Sequence, residues 1–515
     1  MAAHTSRIWS GQWPWALLRY LPYILSQFIV PENLVLMIVG TLVGIIFGAI
    51  PGLSGTMAVM LFMPLTYTMD HATAIIFLLS LWIGGCSGAF IGSVLLGIPG
   101  SASAVSTCWD GHPMAKQGKA SKALAIGMTA SFMGTFFSAL FGGFLSEQVA
   151  NFAFAMGAWE YTALCLVAMT MVLAISKGNM FKGLASTSIG LILASVGYSP
   201  IDAEPRFIFD NIYLMGGLGM IVVLTGIFAV SHILITFGKG FVENPKVSKE
   251  GLKGYGLTPR DFKNEAGNII RSFFIGLGIG FLPGMGSGLS NLVAYSSAKN
   301  ASKHPEEYGH GAEGGVWAPE VANNASIGGA MIPMAALGIP GDSTTALLIG
   351  ALTIHGLEMG PMVFANSGNV VYLMFFTVAL VAVVVFIMQL FGKRYFPYIL
   401  RVPNHYMYPA LLVISLASAY VDSGNLYKVG MMMFFCFVGI LMAAGGLPNS
   451  PLILAFILGP IMEKNMLKAF QYSGTWTSFF TRPVSGILMV IAILCIFSPV
   501  IQSIYKRAKK SKEAV

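Results

Sequence analysis

The stretch Gly48-Ala-Ile-Pro51-Gly52-Leu-Ser54-Gly55, followed by Leu96-Gly97-Ile98-Pro99-Gly100-Ser101, has a second version later in the chain. That version reads Gly280-Phe-Leu-Pro283-Gly284-Met-Gly286-Ser287-Gly288, then Leu337-Gly338-Ile339-Pro340-Gly341-Asp342. Two different Pro-Gly elements recur in the same order, and LGIPG is identical in both. The prolines are 48 residues apart in the first copy and 57 in the second. The extra length falls in the polar insert Lys299–Gly315.

Around these elements the chain is apolar. Hydrophobic residues make up 56% of the 515 and charged residues only 10%, against roughly 25% in soluble domains. So few charges cannot cover a soluble protein of this length, and so apolar a chain is not disordered. The 60 glycines and 36 phenylalanines suit a polytopic helical membrane protein, in which small residues let helices approach closely. The expected fold is therefore all-α. Windows free of Asp, Glu, Lys and Arg run over 33–69, 71–109, 123–146, 161–176, 183–201, 211–238, 272–298, 321–341, 359–392, 402–421, 429–462 and 483–505. Trp13–Val30 reads as a further mature helix, since it lacks a small-residue cleavage site. Span length and the charge rule together give about twelve crossings plus two re-entrant hairpins with broken helices.

The net charge of +8 does not imply nucleic acid, because the basic residues sit in loops between apolar runs. Lys239–Arg271 carries seven of them and is expected in the cytoplasm. The same side is expected for Lys116–Lys122, Lys177–Lys182, Lys393–Arg401 and the Lys506–Lys512 tail. The loop Glu463–Arg482, with three basic residues, fits this path poorly. The resulting division is 1–238 as first repeat with its N-terminal helix, 239–271 as cytoplasmic linker, 272–505 as second repeat and 506–515 as basic cytoplasmic tail.

Charge also orients the repeat. The first LGIPG is followed by Lys116, Lys119 and Lys122; the second is followed by Glu358, with no Lys or Arg between Lys303 and Lys393. The two equivalent loops are expected on opposite sides, which makes this an inverted-topology repeat of the kind that builds secondary transporters.

Proline removes a backbone donor and clashes with the preceding helical turn, and glycine accepts unusual dihedrals. A helix broken in this way at membrane depth is tolerated only inside protein or beside water. Its freed N–H groups can hold an anion and its freed carbonyls a small cation. Small hydroxyl residues follow each break, which gives a substrate-binding set of Gly52, Ser54, Gly55, Thr56, Gly100, Ser101, Ser103, Gly284, Ser287, Gly341, Ser343 and Thr344. Ordinary helix packing by small residues is the competing reading for any one cluster. Asn323, Asn324 and Asp342 form the candidate cation-binding set. For the asparagines the alternative is interhelical hydrogen bonding; for Asp342 it is helix capping.

The five cysteines form no CxxC pair, so neither zinc nor a disulfide framework is suggested. The glycines of 284–288 lack the Lys-Ser/Thr of a phosphate loop. HExxH and GxSxG are absent. A membrane-embedded enzyme acting on a lipid-linked substrate remains the alternative to a transporter.

GAIPGLSG, LLGIPGSASAV, Asp110-Gly111-His112-Pro113-Met114-Ala115-Lys116-Gln117-Gly118, Ala318-Pro319-Glu320-Val-Ala-Asn323-Asn324-Ala325 and LGIPGDSTTALLIGALTIHGLEMGP resemble the large membrane subunit of tripartite tricarboxylate transporters. The resemblance covers about residues 30–465. It implies a multi-pass subunit in the bacterial inner membrane, importing tricarboxylates or related organic anions such as citrate. It also implies symport with a sodium ion or proton, no cofactor, a small membrane subunit and a periplasmic substrate-binding protein. Elevator-type motion is inherited from analogy with other re-entrant transporters. After the second LGIPG the family pattern carries serine, where this chain has Asp342.

Overall fold

A computed structural model describes residues 15–175, 180–238, 254–400, 404–421 and 424–497. The start of the Trp13–Val30 segment, residues 239–253 of the 239–271 linker, part of the Lys177–Lys182 loop, Arg401 and the Lys506–Lys512 tail lie outside the described residues. The described chain is helical almost throughout, with one two-residue antiparallel pairing of Gly197–Tyr198 and Pro205–Arg206. Among the described residues five helices are long and apolar enough to cross a membrane: Pro31–Ala49, His71–Leu96, Thr107–Phe154, Val363–Ile399 and Leu426–Gly445. This is the all-α polytopic membrane fold that composition demands.

The chain divides into two compact units. The first, Met1–Asn151 with Ile233–Leu282 and Gly286–Gly424, holds most of both repeat copies. Pro31–Ala49, Gly55–Phe62, His71–Leu96 and Thr107–Met114 are matched in order by Pro259–Phe281, Gly286–Ala301, Gly314–Leu337 and Ser343–Ile354. The match extends to the packing. Gly44 and Gly48 face the carbonyls of Leu81 and Gly85; Gly276 and Gly280 face those of Ala322 and Ser326. A side chain at any of these would meet backbone within 2.1 to 2.4 Å, so glycine sets how closely each helix pair approaches. The extra residues of the second copy lie between Ala301 and Gly314, within the polar insert.

Several helices run further than the charge-free windows, Ala120–Phe154 among them. Pro259–Phe281 starts inside the segment read as linker. Thr258 and Asp261 form a capping box there, with Pro259 at the first helical position, where its missing N–H costs nothing. Asn449–Ser473 continues through Glu463, Lys464 and Lys468, so the first half of the segment read as the loop Glu463–Arg482 is helix. Glu and Lys are good helix formers, and Glu463 is paired with Arg206 at 2.5 and 3.1 Å.

The second unit comprises Phe152–His232, Pro283–Met285 and Asn425–Val515. Its helices also meet at glycines: Gly190 on the Leu452 carbonyl, Gly226 on that of Met432 and Gly439 on that of Ile227. Arg482 donates to Glu160 at 2.7 Å and lies over the Trp159 ring.

Candidate functional site

The four Pro-Gly breaks come in two conformational pairs. Ile50 and Leu282 end their helices at φ −80°, ψ 120° and φ −81°, ψ 121°. Gly52 and Gly284 follow at φ 90° and 76°, a region only glycine enters freely. At the second type of break Gly97 and Gly338 share φ 68°, with ψ 16° and 20°. Ser101 and Asp342 then both turn extended, at φ −148° and −150°. The repeated motif is thus a repeated backbone path.

Contacts within the first unit draw together the helix ends that flank the breaks. A Cβ on Gly100 would lie 1.9 Å from the Gly48 carbonyl oxygen, and one on Gly341 2.7 Å from that of Gly280. Each copy therefore folds its second break onto the helix that leads into its first. Between copies, the Thr56 and Thr344 hydroxyls meet at 2.6 Å. Gly288, the counterpart of Thr56, faces Ala102, with 3.6 Å from a built Cβ to that residue. Ala102 adjoins Ser103, the counterpart of Thr344. This exchange of partners is that of a two-fold axis. Gly286 faces the Asp342 Cβ at 3.2 Å, which closes the set: each break touches another, and four helix ends share one neighbourhood.

The predicted residues occupy distinct places in it. Ser54 caps Gly55–Phe62, accepting from the Met57 N–H at 3.2 Å. Gly52 is exposed, and Gly55 is buried against Gly85. The Ser101 and Ser103 hydroxyls meet at 2.7 Å. Ser287 and Ser343 are partly exposed, and Thr344 is buried. Asp342 caps Ser343–Ile354: its Oδ1 accepts from the Thr345 N–H at 2.8 Å, and the Thr345 hydroxyl accepts from the Asp342 N–H at 2.9 Å. The asparagines are not at the helix ends. Asn324 is buried among helices, with Oδ1 accepting from Ser87 and Thr135 and Nδ2 donating to Ser131 and the Glu320 carbonyl. All four of its hydrogen-bonding positions are occupied. Asn323 is as deeply buried, yet among the described residues neither amide atom makes a well-formed hydrogen bond.

Three buried side chains lay outside the sequence-based site. Asp110 Oδ1 accepts three backbone N–H bonds, from Gly309, Gly311 and Ala312, at 2.8 to 2.9 Å, and its Oδ2 accepts from the Tyr295 hydroxyl. It therefore pins the polar insert of the second copy to the first. Asn291 accepts from the Ser106 N–H at 3.1 Å across the same junction. Glu320 is wholly buried and accepts from the Thr107 hydroxyl at 2.5 Å. Its charge made it look like a span boundary, with the charge-free window opening at 321. The helix actually starts at Gly314. A helical count back from Asn323 and Asn324, putting Glu320 on their face, was the available signal.

Comparison with known proteins agrees with this architecture. Residues 34–454 match the sequence profile of the tripartite tricarboxylate transporter TctA family. An uncharacterized 52.8 kDa protein in the TAR-I ttuC′ 3′ region of Agrobacterium vitis is 30% identical over 483 residues, covering 94% of this chain and 95% of that protein. An uncharacterized protein in the TAR-II ttuC′ 3′ region of the same organism is 31% identical over 235 residues, 45% of this chain and 96% of that protein. No solved structure matches. The profile spans all four breaks, and the chain belongs to the tripartite tricarboxylate transporter TctA family.

Proposed function

We propose that this chain is the subunit that moves an organic anion, a tricarboxylate or a relative of one, across the bacterial inner membrane in symport with a cation. It would work with a small membrane subunit and a periplasmic binding protein. The convergence of four broken helices carries this reading. Helix N-termini present unpaired N–H groups and a positive dipole end, and here they come with hydroxyl donors rather than fixed positive charge. No Lys or Arg occurs in the windows that hold the motifs, so an anion would be held by N–H and O–H groups and released without breaking an ion pair. Gly52 and Gly284 would let backbone approach the substrate, and Gly55, Gly100 and Gly341 pack the helices that frame it; Ser54, Thr56, Ser101, Ser103, Ser287, Ser343 and Thr344 would add hydroxyls.

Alternating access would follow an elevator motion, with residues 33–110 and 272–357 moving as the substrate-carrying core. The basic loops and the C-terminal tail would face the cytoplasm. The test is uptake of labelled di- and tricarboxylates into proteoliposomes holding the assembled transporter, with and without a sodium or proton gradient. Accumulation driven by one of these gradients is expected. Downhill flux that no gradient can drive uphill would show a channel instead and end the symport reading.

A further inference from the structure

Glu320 has no cationic partner. It lies in Gly314–Leu337, where every residue through Ala336 is buried, and its own exposure is 0%. Oε1 accepts from the Thr107 hydroxyl at 2.5 Å and Oε2 from the Ser131 hydroxyl at 3.5 Å. Among the described residues no lysine, arginine or histidine forms an ion pair with it. A lone ionised carboxylate in such a place is strongly disfavoured unless a positive charge joins it. One turn along the helix, the fully buried Asn323 side chain lies close enough to interact with the Glu320 carboxyl, yet among the described residues neither amide atom makes a well-formed hydrogen bond. Buried amides are almost always hydrogen-bonded, so an orphan amide next to an orphan charge marks a place for a ligand.

The donor set defines the ligand's class. Carboxylate, amide and hydroxyl oxygens are hard ligands that suit alkali and alkaline-earth ions. One carboxylate balances one positive charge, which selects a monovalent ion. No group of three His, Cys, Asp or Glu side chains that could hold a metal occurs among the described residues, which argues against a transition-metal site. A proton would neutralise Glu320 but would leave the Asn323 amide only partly satisfied.

We propose that Glu320, the Asn323 amide oxygen and the Thr107 hydroxyl form a monovalent alkali-cation site between the two repeat copies. It rests on the symport reading and supplies it with a coupling ion. Thr107 opens the helix Thr107–Met114 that follows the 97–101 break of one copy. Glu320 stands on the helix that leads into the Gly338–Asp342 break of the other. A cation held between them would fix both breaks in the arrangement that receives the anion. Asn324, bonded to Ser87, Ser131 and Thr135, holds the helix in register.

The test uses the purified full chain without substrate. Thermal unfolding is followed against sodium, potassium and choline chloride at constant ionic strength and at two pH values. A saturable rise in Tm with sodium but not choline is expected in the wild type. Glu320→Gln keeps the shape and the Thr107 bond and should abolish the rise. Asn323→Ala removes no charge, so it serves if the first variant fails to fold; it should weaken the apparent sodium affinity by roughly tenfold, the worth of a bond to a charged group. Asp342→Asn should keep the wild-type response. A wild-type response in folded Glu320→Gln, or stabilisation that follows pH and ignores sodium, would overturn the site. Uptake by the assembled transporter separates the two ideas. Gradient-driven uptake that Glu320→Gln leaves sodium-dependent sinks this site alone; uptake indifferent to every cation sinks the symport reading.

Discussion

Gly100 and Gly118 show how differently two glycines can matter. A methyl on Gly100 would sit 1.9 Å from the Gly48 carbonyl oxygen, and both partners are backbone, so helices must part to admit it. Gly118 has φ 79° but open space around it. Gly100→Ala should therefore cost about 2 to 4 kcal/mol, at or above the overpacking range. Gly118→Ala should cost only the left-handed strain of about 1 to 2 kcal/mol. Thermal unfolding in detergent ranks the two, and equal losses would mean that the Gly48–Gly100 contact is not tight. Ser101→Ala and Ser343→Ala each remove one hydroxyl donor and should weaken substrate binding by about 1 kcal/mol. Unchanged affinity in the double variant would move the anion elsewhere. At this scale the sequence was legible by residue type but not by partner. Asp342 was visible as a carboxylate in an apolar run, and capping and coupling were equally good readings of it. Only the reciprocal bonds with Thr345 establish the cap. Asn323 and Asn324 are neighbours of one type, yet one is fully bonded and the other is bare, which no local pattern encodes.

At the scale of elements, the repeat was legible because breaks are chemistry that sequence displays directly: proline and glycine at fixed order and spacing. Helix ends were less so. Charge-free windows stop at the first ionised side chain, whereas a helix runs on wherever that side chain finds a partner, as Glu463 finds Arg206. The Pro259 helix start shows the same effect and carries a pH signature. Asp261 accepts from Lys122 at 2.9 Å, and Lys122 also pairs with Glu313. The Lys122 hydrogen bond, with the cap bonds from Thr258, holds the Asp261 carboxyl down at about 2. A depressed carboxyl stabilises the fold above its unfolded value near 4 and loses that contribution as pH falls toward about 2. Asp261→Asn should thus lower Tm at pH 7 and at pH 5 alike, and the gap from wild type should close between about pH 4 and 2. A gap that is already closed at pH 5 would contradict the pairing.

At the scale of the whole molecule, the exchange of partners between breaks establishes a two-fold relation but not the direction of its axis. An axis along the membrane normal would place equivalent loops on one side; an axis in the membrane plane would place them on opposite sides. Charge decides between these. The segment read as a loop after the first LGIPG is a helical turn kinked at Gly118; it carries Lys116, Lys119 and Lys122, and its counterpart carries Glu358 and no basic residue. Three lysines clustered at such a kink bias it strongly to the cytoplasm, while acidic residues contribute little. The axis should therefore lie in the plane. Lys116→Cys and Glu358→Cys, each in a chain whose five native cysteines are replaced, report this through a membrane-impermeant thiol reagent. In intact cells Cys at 358 should label and Cys at 116 should not; in inverted vesicles the pattern should reverse. Labelling of both from one side would place the axis along the normal. Each helix N-terminus would then point toward the same face as its counterpart, and the two copies could not offer the cradle to opposite sides in turn.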